Sequence, residues 1–307
     1  STGGEQATTA GGVQAEWSRY AGKKDWLVEA RSGLSLADER RTAWSELPGA
    51  TVLVGAAPPP GVDEAAGALR TLALGGNGAL GGRRRTLLWE TQARLRVVPT
   101  RRFRHVLTLT ADARWDALRE DPGADRFGTF GYLSLADLAA GRAASFSRTL
   151  NVPTREAGVW NGFLALGDRW RVRDALRVEY GVRLEGTHFA TTPAANPALA
   201  RSLGVRTDVA PNGFGLSPRF GFTWTRKERG NSMWGSPLGT YAFSSSHVVR
   251  GGIGEFRSFL GPDLVTSALA RTGLGTGEQR LLCVGDAVPT AAPGDWAAWS
   301  AGRALPA

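Results

Sequence analysis

Two consecutive segments, residues 86–98 and 103–115, alternate apolar and polar side chains at every second position. Because successive side chains of a β-strand point to opposite faces, each segment predicts a strand with one apolar and one polar face. A strand in a soluble protein is usually about 5–6 residues long, whereas a strand that crosses a membrane in a barrel needs about 9–11. The length of the alternation therefore predicts a hairpin in the wall of a transmembrane β-barrel.

The apolar face of these strands should contact lipid if the barrel interpretation is right, and should pack against a second sheet or helices if the protein is soluble. The polar face carries arginine, glutamate and threonine, which suits a water-filled interior. The side chains that distinguish the two interpretations are Leu87, Trp89, Leu95, Leu107, Leu109, Leu176, Val178 and Val182.

The same alternation recurs along the chain, and about ten strands are expected in total. A second clear hairpin is predicted over 163–172 and 176–186, and further strands are predicted at 13–20, 26–36, 51–55, 144–150, 217–225 and 247–258. Short helices are expected at 134–141, where Ser134 is the expected N-cap, and at 263–271. The remaining stretches, including 1–12, 74–82, 116–127, 187–215 and 226–246, are expected to be loops.

Connection lengths support a barrel in an outer membrane. Short turns at 99–102 and 173–175 alternate with long stretches at 116–143 and 187–216. Outer-membrane barrels have short periplasmic turns and long extracellular loops. The fold class expected from the sequence is therefore all-β, a partial antiparallel transmembrane β-barrel with long extracellular loops.

Composition excludes several other classes of function. The net charge is +9, but the arginines are spread over strand faces rather than gathered in one stripe, so no nucleic acid is expected as a partner. Arginine facing the interior or the outer rim suits anionic solutes or the phosphates of lipopolysaccharide. The single cysteine allows no internal disulfide, and the three histidines lie far apart without metal-ligand spacing. No metal and no cofactor are expected.

No catalytic constellation stands out, so the chain is not expected to be an enzyme. The serines lack a histidine and an acid at a recognisable spacing. Glu179 and Glu185 share a strand face and could form a glycosidase pair in principle. We expect them instead to pair with Arg177 and Arg183 across a barrel interior.

Four strings in order resemble the barrel of TonB-dependent outer-membrane receptors, in particular the Oar-like subgroup. The strings are FGTFGYLSLADLAAGRAASFSRTL (127–150), LGDRWRVRDALRVEYGVRLEG (166–186), LSPRFGFTW (216–224) and VVRGGIGEFRS (248–258). Gly167 stands where glutamine is more usual in that subgroup. The resemblance implies a 22-stranded barrel, an N-terminal plug and energy supplied by the inner-membrane TonB complex.

The chain is expected to be one partial barrel domain over residues 1–307. It begins with Ser1, and neither a signal peptide, nor a plug, nor an aromatic terminal strand is recognisable, so we expect part of a receptor. The expected location is the bacterial outer membrane, with lipid and lipopolysaccharide as neighbours and the TonB complex as a partner through the plug.

The expected function is uptake of a scarce ligand such as a siderophore, an oligosaccharide or a peptide. Its contacts are expected from the loops at 187–216, 226–246 and 260–295 and from the polar strand face. The candidate ligand-binding residues are Phe189, Phe214, Trp234, Arg177 and Arg183. The alternative is a soluble or surface-attached β-sheet protein that binds a partner and has no role in transport.

Overall fold

A computed structural model describes residues 3–21, 25–56, 68–97, 104–123, 125–227 and 246–289. The strands in this part of the chain are β1 (Gly4–Ala21), β2 (Trp26–Ala43), β3 (Gly49–Ala56), β4 (Ala68–Gly75), β5 (Gly82–Val97), β6 (His105–Pro122), β7 (Thr129–Tyr132), β8 (Ser145–Asn151), β9 (Arg155–Arg173), β10 (Leu176–Phe189), β11 (Gly213–Lys227), β12 (Ser246–Gly254) and β13 (Gln279–Val284). The helices are α1 (Leu135–Ala139), α2 (Pro197–Leu203), α3 (Asp263–Ala270) and a 3-10 turn at Gly285–Ala287.

Eight strands form one large antiparallel sheet in the order β1-β2-β5-β6-β9-β10-β11-β12. Their lengths run from 9 residues in β12 to 19 residues in β9. Over the described residues this long sheet is open, and β1 and β12 are its two edges. The expectation of an all-β fold built on a large antiparallel sheet is confirmed.

Strand register places most of the large apolar side chains on one face of the long sheet. Trp89 of β5 lies opposite Leu34 of β2 and Trp115 of β6, and Trp115 lies opposite Trp160 of β9. The ring of Trp160 lies 4.9 Å from that of Trp115 and 5.7 Å from that of Trp89, the latter edge to face. A shift of one residue in any strand would move its whole apolar set to the other face, so this pattern fixes the register.

The connections at one end of the long sheet build a second sheet of five strands, in the order β13-β8-β7-β3-β4. Two of its strands come from the segment between β2 and β5, and two from the segment between β6 and β9. The pair β3–β7 is parallel, and the other pairs are antiparallel. Phe146 is fully buried in this sheet and packs with Cys283 and Val288. We call this end of the long sheet the loop end and the opposite end the turn end.

Several expected boundaries are wrong because strands continue beyond their apolar stretch. The expected loop at 1–12 is strand from Gly4 onward, and the expected loop at 116–127 is strand as far as Pro122. In β6 this polar extension is held by ion pairs across strands, such as that from Arg119 to Glu156 at 2.8 Å. The described residues hold thirteen strands rather than about ten, because β4, β7 and β13 were not expected.

Both expected helices are confirmed. The hydroxyl of Ser134 accepts a hydrogen bond from the backbone N–H of Asp137, and Gly141 follows α1 with φ of 66°. That hydrogen bond caps the helix start, and the left-handed glycine allows the chain to turn away after it. No described helix is long and apolar enough to cross a membrane.

Candidate functional site

The apolar face of the long sheet is exposed over its whole width. Many of its large side chains are more than a third exposed, whereas Leu87, Trp89, Leu95, Leu176 and Val178 are half-buried among their neighbours in the sheet. No described helix or second sheet packs on this face. The exposed set includes Val13, Trp17, Leu34, Leu36, Leu107, Leu109, Leu164, Leu166, Val182, Leu184, Leu216, Phe220, Phe222 and Ile253. A contiguous apolar surface of this extent marks a contact with a membrane or with another protein.

Charged residues border the apolar face at the loop end. Asp38 forms an ion pair with Arg83 of the neighbouring strand and lies 4.0 Å from Arg85. Arg119 pairs with Glu156 one strand further along. The apolar band therefore ends in a belt of paired charges, which suits a boundary between hydrocarbon and headgroups.

Aromatic and hydrogen-bonding side chains border the apolar face at the turn end. The imidazole of His105 stacks on the ring of Trp170, with centroids 5.5 Å apart and planes inclined by 11°. Asp168, which is 8% exposed, accepts hydrogen bonds at Oδ2 from the Tyr180 hydroxyl and shares another with His105 Nδ1, both at 2.7 Å. This network joins β6, β9 and β10 and keeps polar tips at the rim of an apolar surface.

The polar face of the long sheet is lined with ion pairs between neighbouring strands or within one strand. They are Arg31–Glu90 at 3.2 Å, Arg94–Glu29 at 3.9 Å, Arg114–Asp116 at 2.7 Å, Arg169–Glu179 at 2.7 Å and Arg183–Glu185 at 2.8 Å. Glu185 pairs with Arg183, but the two lie two residues apart on β10 and not across a barrel interior as expected. Glu179 pairs with Arg169 rather than with Arg177, because Arg169 lies directly opposite it in the register.

The segment after β12 folds back onto the polar face at the loop end; we call residues 255–270 the inner strap. The guanidinium of Arg183 lies 3.7 Å from the ring centroid of Phe163 on the sheet and 5.3 Å from that of Phe259 on the strap. Asn161 Nδ2 donates to the carbonyl oxygen of Leu260 at 3.0 Å. These contacts fix the strap against β9 and β10.

Helix α3 ends the inner strap and covers the upper part of the polar face. Val265 is 2% exposed and packs in one cluster with Val159, Phe189 and Ala210. Asp263 at the start of α3 pairs with Arg84 of β5 at 2.7 Å, so the helix reaches across β6. Helix α3 explains why β9 carries the apolar residues Ala157 and Val159 on the polar face, because the helix covers them.

Below the strap, the polar face contains a cleft of 420 Å³, which we call the arginine cleft. Its floor includes Gly167, Gly181 and Gly221, which lie on adjacent strands. Four arginines surround the floor: Arg96, Arg169, Arg183 and Arg219. The cleft therefore combines an open backbone floor with cationic walls.

A polar cluster at the loop end joins the two sheets. Arg155 at the start of β9 pairs with Glu120 at 3.3 Å and with Glu278 beside β13 at 2.5 Å. Asp125 has a left-handed backbone, with φ of 55°, and accepts a hydrogen bond from the Thr129 hydroxyl at 3.0 Å. Burial raises the pKa of the Asp125 carboxyl above its ordinary value of 3.8.

The four expected ligand-binding residues that the structure describes are not brought together. Phe189 is 2% exposed and belongs to the cluster under α3, whereas Phe214 is 84% exposed at the loop end of the apolar face. Arg177 is exposed on the polar face near the turn end, and Arg183 lines the arginine cleft. Trp234 lies outside the described residues.

The three loops expected to share a ligand do not leave the sheet at the same end. Segments 190–212 and 255–289 follow the loop ends of β10 and β12, whereas Lys227 and Ser246, which flank 228–245, pair at the turn end. The arginine cleft was not foreseen. Its glycines and arginines come from four strands, and only the register shows that they are neighbours.

Comparisons with protein-family models, curated proteins and solved structures find no match. Among the residues that the structure describes, no group of three or more histidine, cysteine, aspartate or glutamate side chains could hold a metal ion. The two faces of the long sheet are therefore the basis for a functional proposal.

Proposed function

We propose that the chain is part of the wall of an outer-membrane transport receptor of the TonB-dependent type, with the long sheet as a segment of a transmembrane β-barrel. The observation that carries the proposal is the apolar face, which extends across eight paired strands and is interrupted by single polar pairs such as Ser32 and Thr91. Lipid would cover this face without any further protein. Leu107, Leu109 and Val182 then lie against hydrocarbon.

The polar face supports the same proposal. A barrel interior filled with water tolerates Arg–Glu pairs, because the charges stay hydrated and partly neutralise each other. A soluble sandwich would need the opposite arrangement, with the apolar face buried and the charged face outside. The alternative of a soluble partner-binding protein requires an unidentified cover for the apolar face.

A barrel in lipid also needs closed edges, because unpaired backbone groups are costly in hydrocarbon. The edges at β1 and β12 would pair with further strands of the same receptor, as a 22-stranded barrel requires. The plug and the TonB complex would be its energy-coupling partners. The charged belt around Arg85 and Arg119 would meet lipopolysaccharide phosphates.

We propose that the ligand is scarce and enters from the loop end. A siderophore, an oligosaccharide or a peptide would be a ligand of this kind. Arg177 and Arg183 remain candidate contacts on the polar face. Phe214 remains a candidate at the loop end, whereas Phe189 has a structural role under α3.

Membrane location and transport can be tested separately. An antibody to the chain should find it in the outer-membrane fraction of the source bacterium, resistant to extraction by high salt. Deleting the gene should abolish energised uptake of one ligand, and disrupting the TonB complex should abolish the same uptake. Recovery of the chain in the soluble fraction would contradict the proposal.

A further inference from the structure

We propose that the arginine cleft binds a small solute through an anionic phosphate or carboxylate group. The inference rests on the proposed function in one respect, namely that the polar face lines a water-filled interior. The inference adds the chemical class of solute that the polar face would bind in the half of the sheet nearest the turn end.

The charge of the cleft is not neutralised by its own residues. Within the described chain, Arg96 and Arg219 have no carboxylate partner within 4.0 Å. The guanidinium of Arg219 lies 4.6 Å from the ring centroid of Phe256 on the inner strap, which orients it without cancelling its charge. The guanidinium groups of Arg96 and Arg219 therefore line the cleft without a carboxylate partner.

The other two arginines are held in place by carboxylates. Arg183 pairs with Glu185, which also accepts a hydrogen bond from Ser217 at 2.6 Å, and the Arg183 side chain is only 18% exposed. Arg169 pairs with Glu179. Because Glu185 does not line the cleft, the lining retains an excess of positive charge.

The glycine floor gives a solute room to approach. A Cβ added at Gly167 or Gly221 would make ordinary contacts with backbone oxygens at 3.7 and 3.5 Å, whereas one added at Gly181 would lie 2.6 Å from the backbone oxygen of Leu166. Without side chains at these positions, the floor of the cleft is bare backbone. The volume of 420 Å³ lies in the range of small-molecule sites. Guanidinium groups bind phosphate and carboxylate in a two-pronged geometry that a lysine cannot reproduce.

The test uses the complete receptor that contains this chain, folded in detergent micelles, and inorganic pyrophosphate as the probe in titration calorimetry. The wild type should bind saturably. The double variant Arg96→Gln/Arg219→Gln should bind at least about tenfold more weakly, as expected for the loss of charged hydrogen bonds. Citrate titrated in parallel shows whether phosphate or carboxylate is preferred.

The control is Arg250→Gln, which removes one arginine charge from the polar face of the long sheet. Arg250 is on β12 and lies outside the cleft. This variant should bind within about twofold of the wild type. Arg219→Lys, which keeps the charge and loses the fork, should weaken binding to an intermediate degree and guards against a folding defect in the double variant. Absence of saturable binding, or equal weakening in Arg250→Gln, would overturn the proposal.

Failure of this inference can be told apart from failure of the proposed function. Flotation of the wild type with lipid vesicles reports membrane insertion independently of pyrophosphate. A chain that floats and does not bind either probe retains its membrane assignment and loses the anion site. A chain that stays with the soluble fraction loses the membrane assignment, and with it the assignment of the cleft to a transport interior.

Discussion

Leu109 and Thr110 are neighbours in β6, and they lie on opposite faces of the long sheet. Leu109 is in register with Leu95 and Leu166, whereas Thr110 is in register with Arg94 and Ala165. The same division holds across all eight strands. One step along the chain therefore separates an expected lipid contact from an expected water contact.

In the complete receptor that contains this chain, Leu109→Arg should block insertion into vesicles, because a charge near the middle of the lipid face costs about 2–4 kcal/mol. Leu166→Arg, at the position in register with Leu109, should have the same effect. Thr110→Arg is the matched control, because it places the same side chain one residue away on the polar face, and it should insert normally. Flotation with vesicles measures insertion of all three variants. Normal insertion of both variants on the apolar face would contradict the proposal that this face contacts lipid.

Phe189→Ala should destabilise the chain by about 3–5 kcal/mol, because it removes a buried ring from the cluster beneath α3. Phe214→Ala should leave stability almost unchanged, because the side chain is 84% exposed. Urea unfolding of the chain in micelles compares the two. Equal effects would mean that α3 does not pack on the polar face as described.

Arg155→Ala should destabilise the chain by about 1–3 kcal/mol, because Glu120 and Glu278 lose the cation between them. The ends of β9 and β13 should become more open to hydrogen exchange. Arg206→Ala removes an exposed pair with Asp208 and should have no measurable effect on stability. Unchanged exchange in Arg155→Ala would show that this cluster does not join the two sheets.

Asp125 should make stability fall as pH rises above 3.8. Burial raises its pKa in the folded state, so its favourable contribution is complete below the ordinary value of 3.8 and is lost as pH rises towards the folded-state pKa. Asp125→Asn should remove this dependence and be at least as stable at neutral pH, because asparagine also tolerates a positive φ.

Asp125→Ala provides the contrast. Alanine loses the acceptor for the Thr129 hydroxyl and tolerates the left-handed backbone less well, so we expect a loss of about 1–3 kcal/mol. Thermal unfolding between pH 4 and 8 compares wild type and both variants. A pH dependence that persists in Asp125→Asn would assign it to another group.

Strong alternation was sufficient to predict the central strands of the long sheet. Residues 86–97 of the predicted segment 86–98 lie within β5, and segment 176–186 lies within β10. Their expected faces agree with the register. The strand ends could not be predicted, because beyond the apolar band the residues are charged and their pairing depends on partners in other strands. Arg119 of β6, for example, is held by Glu156 of β9.

The second sheet and the arginine cleft required the structure. Strand β13 is short, and its partner β8 lies in another connection far along the chain. Strand β3 pairs with β4 in its own connection and with β7 in the connection between β6 and β9. Phe189 was expected to contact a ligand, but α3 folds back over it, which no local pattern indicates. The cleft depends on the register of Gly167 with Gly181, which no single strand reveals.

Spin-label accessibility along β6 tests the central claim most directly. In a Cys283→Ser background, single cysteines at positions 107 to 112 would carry a nitroxide in chains reconstituted into vesicles. We predict that positions 107, 109 and 111 are accessible to oxygen dissolved in lipid, and that 108, 110 and 112 are accessible to a water-soluble nickel complex. Uniform accessibility to the nickel complex, without a period of two, would contradict a membrane-spanning wall.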